Sequence, residues 1–398
     1  MPNSTYWAVA SLLALPFFST LGMAGEFKGY IGAEGRYFFE DAPFDTQEDP
    51  SASLSAELEY FHDFASNDQR LAFTAFTRYD SVDDNRTHTD LREAYWWRGF
   101  DQFEVYFGLR KIYWGVTESV HLVDIINQTD VVENIDGEDK LGQGMLQLVS
   151  QQTYGLIEFF LMPHFREQTF PSENARLRLP IAISDNTRYQ SSDGDRHVDF
   201  ALNWSHYFNV WDVNISHFSG TNRTPIFFPT METGQLELQP YYSQIDQTGL
   251  ALQATVDAWL WKLEAISVEE EDYGRNSAAV AGLEYTFFSV FQTNADLGLI
   301  GEYQFDDRVG ARQTLSQNDL AIGMRWALND IDGSEFLTIA SHDFDYDTQF
   351  FSFELGRRIT DDWRIEAEAR FFAADNPLAP SYAFDQEDYV QLEIRRYF

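Results

Sequence analysis

Residues equipped for covalent chemistry are few in this chain and lie on two neighbouring segments, Asn203-Trp-Ser-His206 and Ser216-His217. An Asn/His/Ser or Asp/His set hydrolyses an ester or amide when the imidazole takes a proton from the attacking hydroxyl or water. Here His206 and His217 share strand parity with Trp204 and with Trp211, Val213 and Ile215. Both are therefore expected on an apolar face, as belt residues rather than a catalytic pair. There is no His-Glu-x-x-His and no cysteine, which removes the common zinc spacings and any disulfide. Asp343-x-Asp345-x-Asp347 has the opening of a calcium loop without the glycine at its sixth position, so it offers at most a weak site. These residues imply no enzyme, no resident metal and no cofactor.

The chemistry that remains is electrostatic. The 398-residue chain carries 64 acidic against 27 basic side chains, a formal net charge of −37, with 16% aromatics. Such an acid excess argues against nucleic acid or anionic lipid as a partner, and the aromatic content is too high for disorder. The charges are ordered along the chain. Arg36, Arg78, Arg110 and Arg370, with Glu57, Glu104 and Glu366, each stand at positions alternating with apolar residues, and the two signs on this face nearly balance. The negative surplus falls in connecting segments, at Asp80/Asp83/Asp84, Asp193/Asp195, Glu269 to Asp272 and Asp343/Asp345/Asp347.

Strands are the elements that place charges this way, because successive side chains point to opposite faces. Phe27, Ile31, Ala33 and Tyr37 alternate with Lys28, Tyr30, Glu34 and Arg36; Val198, Phe200, Leu202 and Trp204 form a second apolar row, and Trp259, Trp261, Leu263 and Ala265 a third. About eighteen such segments are expected, with sixteen as the fallback, each near the nine to eleven residues that a tilted strand needs to cross a bilayer. Their connections alternate between short turns, such as Ser66-Asn-Asp68, Asn209, Asp257 and Thr360-Asp-Asp362, and longer, polar, irregular stretches at 40–52, 80–90, 115–143, 163–196, 220–246, 269–276, 306–318 and 374–387. The ten prolines beyond residue 24 stay out of the strand interiors, as ladder pairing requires. The expected fold is all-β: one domain, 25–398, forming a transmembrane antiparallel up-and-down β-barrel with a greasy outside and a polar lumen. A propeller would show a blade repeat, and a sandwich would not sustain charge along one face. Residues 1–24 read as a signal peptide, with an apolar stretch from Trp7 to Met23 and small residues at Gly22 and Ala24, although no Lys or Arg precedes it.

The last strand, Glu387 to Phe398, carries Val390, Leu392, Ile394 and Phe398 on one face and ends on an aromatic residue. It resembles the closing strand of Gram-negative outer-membrane β-barrels, except that Arg396 stands where an apolar residue is usual. The resemblance implies the cell outer membrane, its lipids around the barrel, and recognition of this strand by the barrel-assembly machinery. The connection after the fifth strand, Lys111 to Asp136, carries Val120, Leu122, Val123, Ile125 and Ile126, too apolar to dangle in water. With the Trp114-Gly115 pair, read as ending the fifth strand, it is similar to the inward third loop of porins. That resemblance implies a segment at about 115–143 folded into the lumen, with Trp114, Glu118, His121, Asp124, Asn127, Asp130 and Glu133 forming a constriction opposite Arg36, Arg78, Arg110 or Arg370. The function expected is passive diffusion of small hydrophilic solutes, with a weak lean toward cations. Porins of this size are frequently trimers, so a homotrimer is one assembly implied. The alternatives are a binding or adhesion barrel with a closed lumen, working through 163–196 and 220–246, and an outer-membrane hydrolase.

Overall fold

Hairpins assemble the molecule. Asn209 and Asp257 take the left-handed conformation (φ 56° and 53°), which short polar side chains tolerate, in two-residue turns that pair Phe208 with Trp211 and Val256 with Trp259. The computed structural model describes residues 25–64, 68–232 and 234–398; the expected signal peptide and most of the turn expected at 66–68 lie outside the described residues. In chain order the strands are β1 Gly25–Phe38, β2 Ser51–Asp63, β3 Gln69–Asp80, β4 His88–Gly99, β5 Glu104–Arg110, β6 Gln143–Gln152, β7 Gly155–Met162, β8 Arg188–Tyr189, β9 Asp199–Phe208, β10 Trp211–Thr221, β11 Ile226–Thr230 and β12 Glu237–Tyr242. They continue as β13 Gln244–Val256, β14 Trp259–Glu270, β15 Gly274–Phe287, β16 Asp296–Asp306, β17 Asn318–Ala327, β18 Glu335–Asp343, β19 Thr348–Arg358, β20 Trp363–Ala373 and β21 Tyr389–Tyr397.

Eighteen of these form one closed antiparallel sheet, each strand beside its sequence neighbours and β21 returning to β1. The seam is sealed by reciprocal bonds, Phe398 N to Gly29 O at 3.0 Å and Gly29 N to Phe398 O at 3.2 Å. Closure leaves this sheet without a free edge strand. Outward residues are apolar and bare: Phe27, Ile31, Tyr37, Leu202, Trp261, Leu299, Ile322 and Leu392 are all exposed. Inward residues one position away, such as Glu34, Arg78, Glu264, Glu302 and Arg370, are buried. A belt of this extent is stable only against hydrocarbon, as in barrels that span a bilayer. Arg396, the departure in the last strand, lies over the Trp363 ring at 5.8 Å.

Three expectations need correction: β14 ends at Glu270 and β15 begins at Gly274, so 269–276 holds a short turn rather than a long connection. The stretches 163–196 and 220–246 are not irregular throughout: β8, β11 and β12 form a separate three-stranded sheet, with Pro229 and Pro240 inside its strands. Proline marked them as loop, but Pro229 lies on the edge strand β11, and Pro240 lies on the central strand β12, which pairs with β8 only at Tyr241 and Tyr242. The fifth strand ends at Arg110, so Trp114-Gly115 lies beyond it rather than at its tip.

Candidate functional site

Residues 111–142, between β5 and β6, run inside the barrel. Val123, Ile125, Ile126 and Trp114 are buried against inward residues of the wall: Met145 on β6, Phe160 and Met162 on β7, Ala201 on β9, Phe218 on β10, Ala251 on β13, Ile266 on β14 and Ala278 on β15. The Trp114 ring meets Phe160 edge-on, with centroids 5.7 Å apart. Where Val123, Ile125 and Ile126 lie against this arc, the inward positions Met145, Phe160, Ala201, Phe218, Ala251, Ile266 and Ala278 are apolar or small, which gives the hydrophobic residues a dry surface to cover. Gly249 on β13 shows how close the approach is. A Cβ there would stand 3.2 Å from Val123 Cγ1 and 2.6 Å from Ser216 Oγ.

Two wall carboxylates fasten the segment. Glu264 on β14 accepts from Val116 N (2.6 Å), Thr117 N (3.0 Å), Thr117 Oγ1 (2.7 Å) and Val123 N (3.2 Å). Glu302 on β16 accepts from Glu118 N (2.9 Å), Ser119 N (2.8 Å) and Ser119 Oγ (2.6 Å). Backbone N–H groups that would otherwise be orphaned are satisfied by full charges, the stronger kind of hydrogen bond.

The far end of the segment is acidic and meets arginines of the opposite arc. Arg78 on β3 donates to Glu133 (2.9 Å) and to Glu34 on β1 (2.9 Å). Arg92 on β4 donates to Asp130 at 2.6 Å. Arg370 on β20 lies 3.3 Å from Asp136 and 2.8 Å from Glu354. Arg92 reaches inward because the β3–β4 register shifts at Thr74/Ala75, where Glu93 pairs with Thr74 and Leu91 with Ala75. This bulge leaves Arg92 unpaired in the ladder and reverses the parity of β4 below it. Between the acidic end and the wall of β1–β4 and β17–β21 lies a polar cavity of about 440 Å³, bordered by Glu57, Arg78, Glu133, Asp139, Glu366 and Arg395 among others. Burial, reinforced by Glu133 and Asp136, pushes Asp139 up to about 7; burial likewise raises Asp136 to about 6.

The residues expected at a constriction divide into two groups. Trp114, Asp124 and Asn127 do not line open space. Trp114 belongs to the apolar packing, and Asp124 Oδ1 accepts from Trp114 N (2.6 Å) and Gly115 N (3.0 Å). Asn127 bonds Ile112 N (2.8 Å), Arg110 O (2.7 Å) and Leu141 O (2.8 Å). A short polar side chain inside a folded segment pairs with nearby backbone before it reaches a lumen. Glu118, His121, Asp130 and Glu133 instead join segment to wall or to itself. Glu118 bridges Lys262 (3.3 Å) and Arg325 (2.7 Å). His121 stands 3.1 Å from Glu138 and 3.8 Å from Glu264, and these two carboxylates push it up to about 10.

Of the wall charges, Glu57 and Glu366 border the cavity, while Glu104 holds Trp97 Nε1 and Tyr106 OH, each at 2.9 Å. Arg110 lies 3.9 Å above the Tyr106 ring and bonds Gln147, and Arg36 bonds Gln391 at 2.6 Å; neither meets the segment's carboxylates. His88 was missed because residues 80–90 read as a connection, whereas β4 begins at His88, and Arg92 was missed because the bulge beside it leaves no mark in the residue types. The hydrolase candidates do not converge. His206 and His217 belong to the outward rows of β9 and β10, whereas Asn203 and Ser216 are buried inward, and His217 Nδ1 lies 3.0 Å from Thr248 Oγ1.

No protein-family model and no curated protein matches the chain. Among solved structures it is similar to a BenF-like porin from Pseudomonas fluorescens Pf-5, at 8% identity and a TM-score of 0.55, over 94% of this chain and 98% of that one. Looser alignments are to OmpT of Vibrio cholerae (9% identity, TM-score 0.46, 94% and 97% covered) and to a triple mutant of the Rh. blastica porin (11%, 0.45, 94% and 100%). At such identities the likeness is one of architecture: the chain has the porin-like fold, a closed antiparallel barrel of eighteen strands.

Proposed function

We propose that this barrel is a passive channel of a Gram-negative outer membrane, admitting small hydrophilic solutes with a preference for cations. One observation carries the reading. The segment 111–142 fills the arc from β6 to β15 with apolar side chains, whereas the arc from β17 through β21 to β4 keeps a cavity of about 440 Å³ walled by ionisable groups. Hydrated solutes favour the second arc because entry there strips no water against hydrocarbon. Eleven Asp and Glu side chains border that cavity against seven Lys and Arg. The surplus enriches cations in the path, and the low-dielectric walls strengthen the effect. Lipid covers the outward belt, β21 is the strand offered to the assembly machinery, and a homotrimer is the assembly proposed. Planar-bilayer recordings in a salt gradient test the function. Conductance with a reversal potential on the cation side is the expected result, and a silent protein under either polarity contradicts it.

The ordered sheet of β8, β11 and β12 favours a second reading, a binding barrel that works through this surface. Replacing 226–242 by a short linker separates the two. A channel keeps conducting, whereas a binding barrel loses its partner.

A further inference from the structure

Where the inward segment meets β4, His88 faces two carboxylates that the diffusion path does not need in that arrangement. Its Nδ1 lies 2.9 Å from the carbonyl oxygen of Arg86, so Nδ1 carries the proton and donates, and Nε2 of the neutral ring presents a lone pair. Nε2 is closed off from solvent and has no hydrogen-bond partner among the described residues. It is directed at Asp130 Oδ2, 3.8 Å away, and Glu133 Oε1, 3.7 Å away. Both carboxylates are buried, at 2% and 5% exposure, and one donor atom from each of the three residues fits within 4.8 Å of the others.

These separations discriminate between occupants. An N–H···O bond spans about 2.7–3.2 Å, so a proton on Nε2 closes neither gap. Ligands held at about 2.0–2.2 Å by a tetrahedral divalent ion stand roughly 3.3–3.6 Å from one another. The spacing from His88 to each carboxylate lies within a few tenths of an ångström of that edge.

We propose that His88, Asp130 and Glu133 form a binding site for a first-row divalent metal ion of the zinc type, through Nε2 and one oxygen of each carboxylate, with water completing the shell. The surroundings behave as supports for such a site. The Arg86 carbonyl fixes the tautomer, Arg92 donates at 2.6 Å to the same Asp130 oxygen that faces His88, and Arg78 donates to both oxygens of Glu133 (3.1 and 2.9 Å), each oxygen keeping a lone pair for the ion. The same arginines offset the carboxylate charge, which makes the site weak and exchangeable rather than permanent. Calcium and magnesium are disfavoured, since they call for six or more oxygen ligands and this set offers an imidazole. Because Glu133 and Arg92 border the cavity, the bound ion adds positive charge at the edge of the bore and ties β4 to the inward segment.

The test is calorimetric titration of the full-length protein in detergent micelles with Zn²⁺, and with Co²⁺, whose visible absorption reports its ligand geometry. One Zn²⁺ per chain is expected, weakened at least tenfold by His88→Ala and by Glu133→Gln, and undisturbed by millimolar Ca²⁺. Heat-dependent gel migration shows that each variant keeps its barrel, and His88→Gln serves if His88→Ala does not. No zinc binding, binding unchanged in the His88 variants, or displacement by Ca²⁺ overturns the assignment.

Discussion

Asp139 and Asp136 are the side chains through which solution pH reaches the bore. Burial and neighbouring carboxylates raise them to about 7 and about 6, so both are charged above that range and neutral below it. Acidification from pH 8 to pH 5 therefore removes two negative charges beside the cavity, and the proposed cation preference, read from the reversal potential, is expected to fall over that interval. In Asp136→Asn/Asp139→Asn the preference is already reduced at pH 8 and changes less with pH. A wild-type reversal potential constant from pH 8 to 5 contradicts the assignment. Glu264 sets a different expectation, because its removal leaves the N–H groups of Val116, Thr117 and Val123 without their acceptor, at roughly 1–3 kcal/mol for each buried donor. Glu264→Ala is expected to loosen 111–142, seen as new protease cleavage within it and noisier open-channel current. Strand parity made Glu57, Arg78 and Glu366 legible as inward charges. It could not reveal that Asn127 and Asp124 turn back onto their own segment, because an irregular segment has no two-residue period to fix where its side chains point.

The strands were legible because each needs one apolar and one polar face, and the two-residue periodicity writes this directly into the sequence. Departures from that periodicity were not. The β3–β4 bulge adds one residue, and from it come the inward Arg92 and the reversed parity that turns Tyr95 and Trp97 toward the lumen. Nothing in the residue types announces a bulge at that place. The β11–β12 hairpin was hidden by Pro229 and Pro240, whose usual meaning is loop. Glycine has a sharper role on β15, where a Cβ on Gly282 would stand 2.5 Å from Glu302 Cγ. Gly282→Ala therefore pushes Glu302 off Glu118 and Ser119, and is expected to give the same noise and protease sensitivity as Glu302→Ala. Combining the two substitutions should add little, since both release one contact. Full additivity in the double variant counts against that link.

At the scale of the molecule, the barrel separates two solvents, and each side chain is judged by the one it meets. Ile322, near the middle of β17, is 59% exposed on the outer belt. Ile322→Arg is expected to cost roughly 2–4 kcal/mol in unfolding measured from lipid bilayers, the penalty for a cation at the hydrophobic midplane. A neutral outcome there would place the belt in water. The central claim is that the bore conducts along one arc and is dry along the other, and the absence of cysteine from the natural chain makes the claim directly testable. Glu57→Cys and Ala251→Cys place single thiols on the cavity wall and beneath the inward segment. During bilayer recording, a water-soluble charged thiol reagent is expected to change the current through the Glu57→Cys channel within seconds and to leave the Ala251→Cys channel untouched. Modification of Ala251→Cys with Glu57→Cys unaffected would contradict the account.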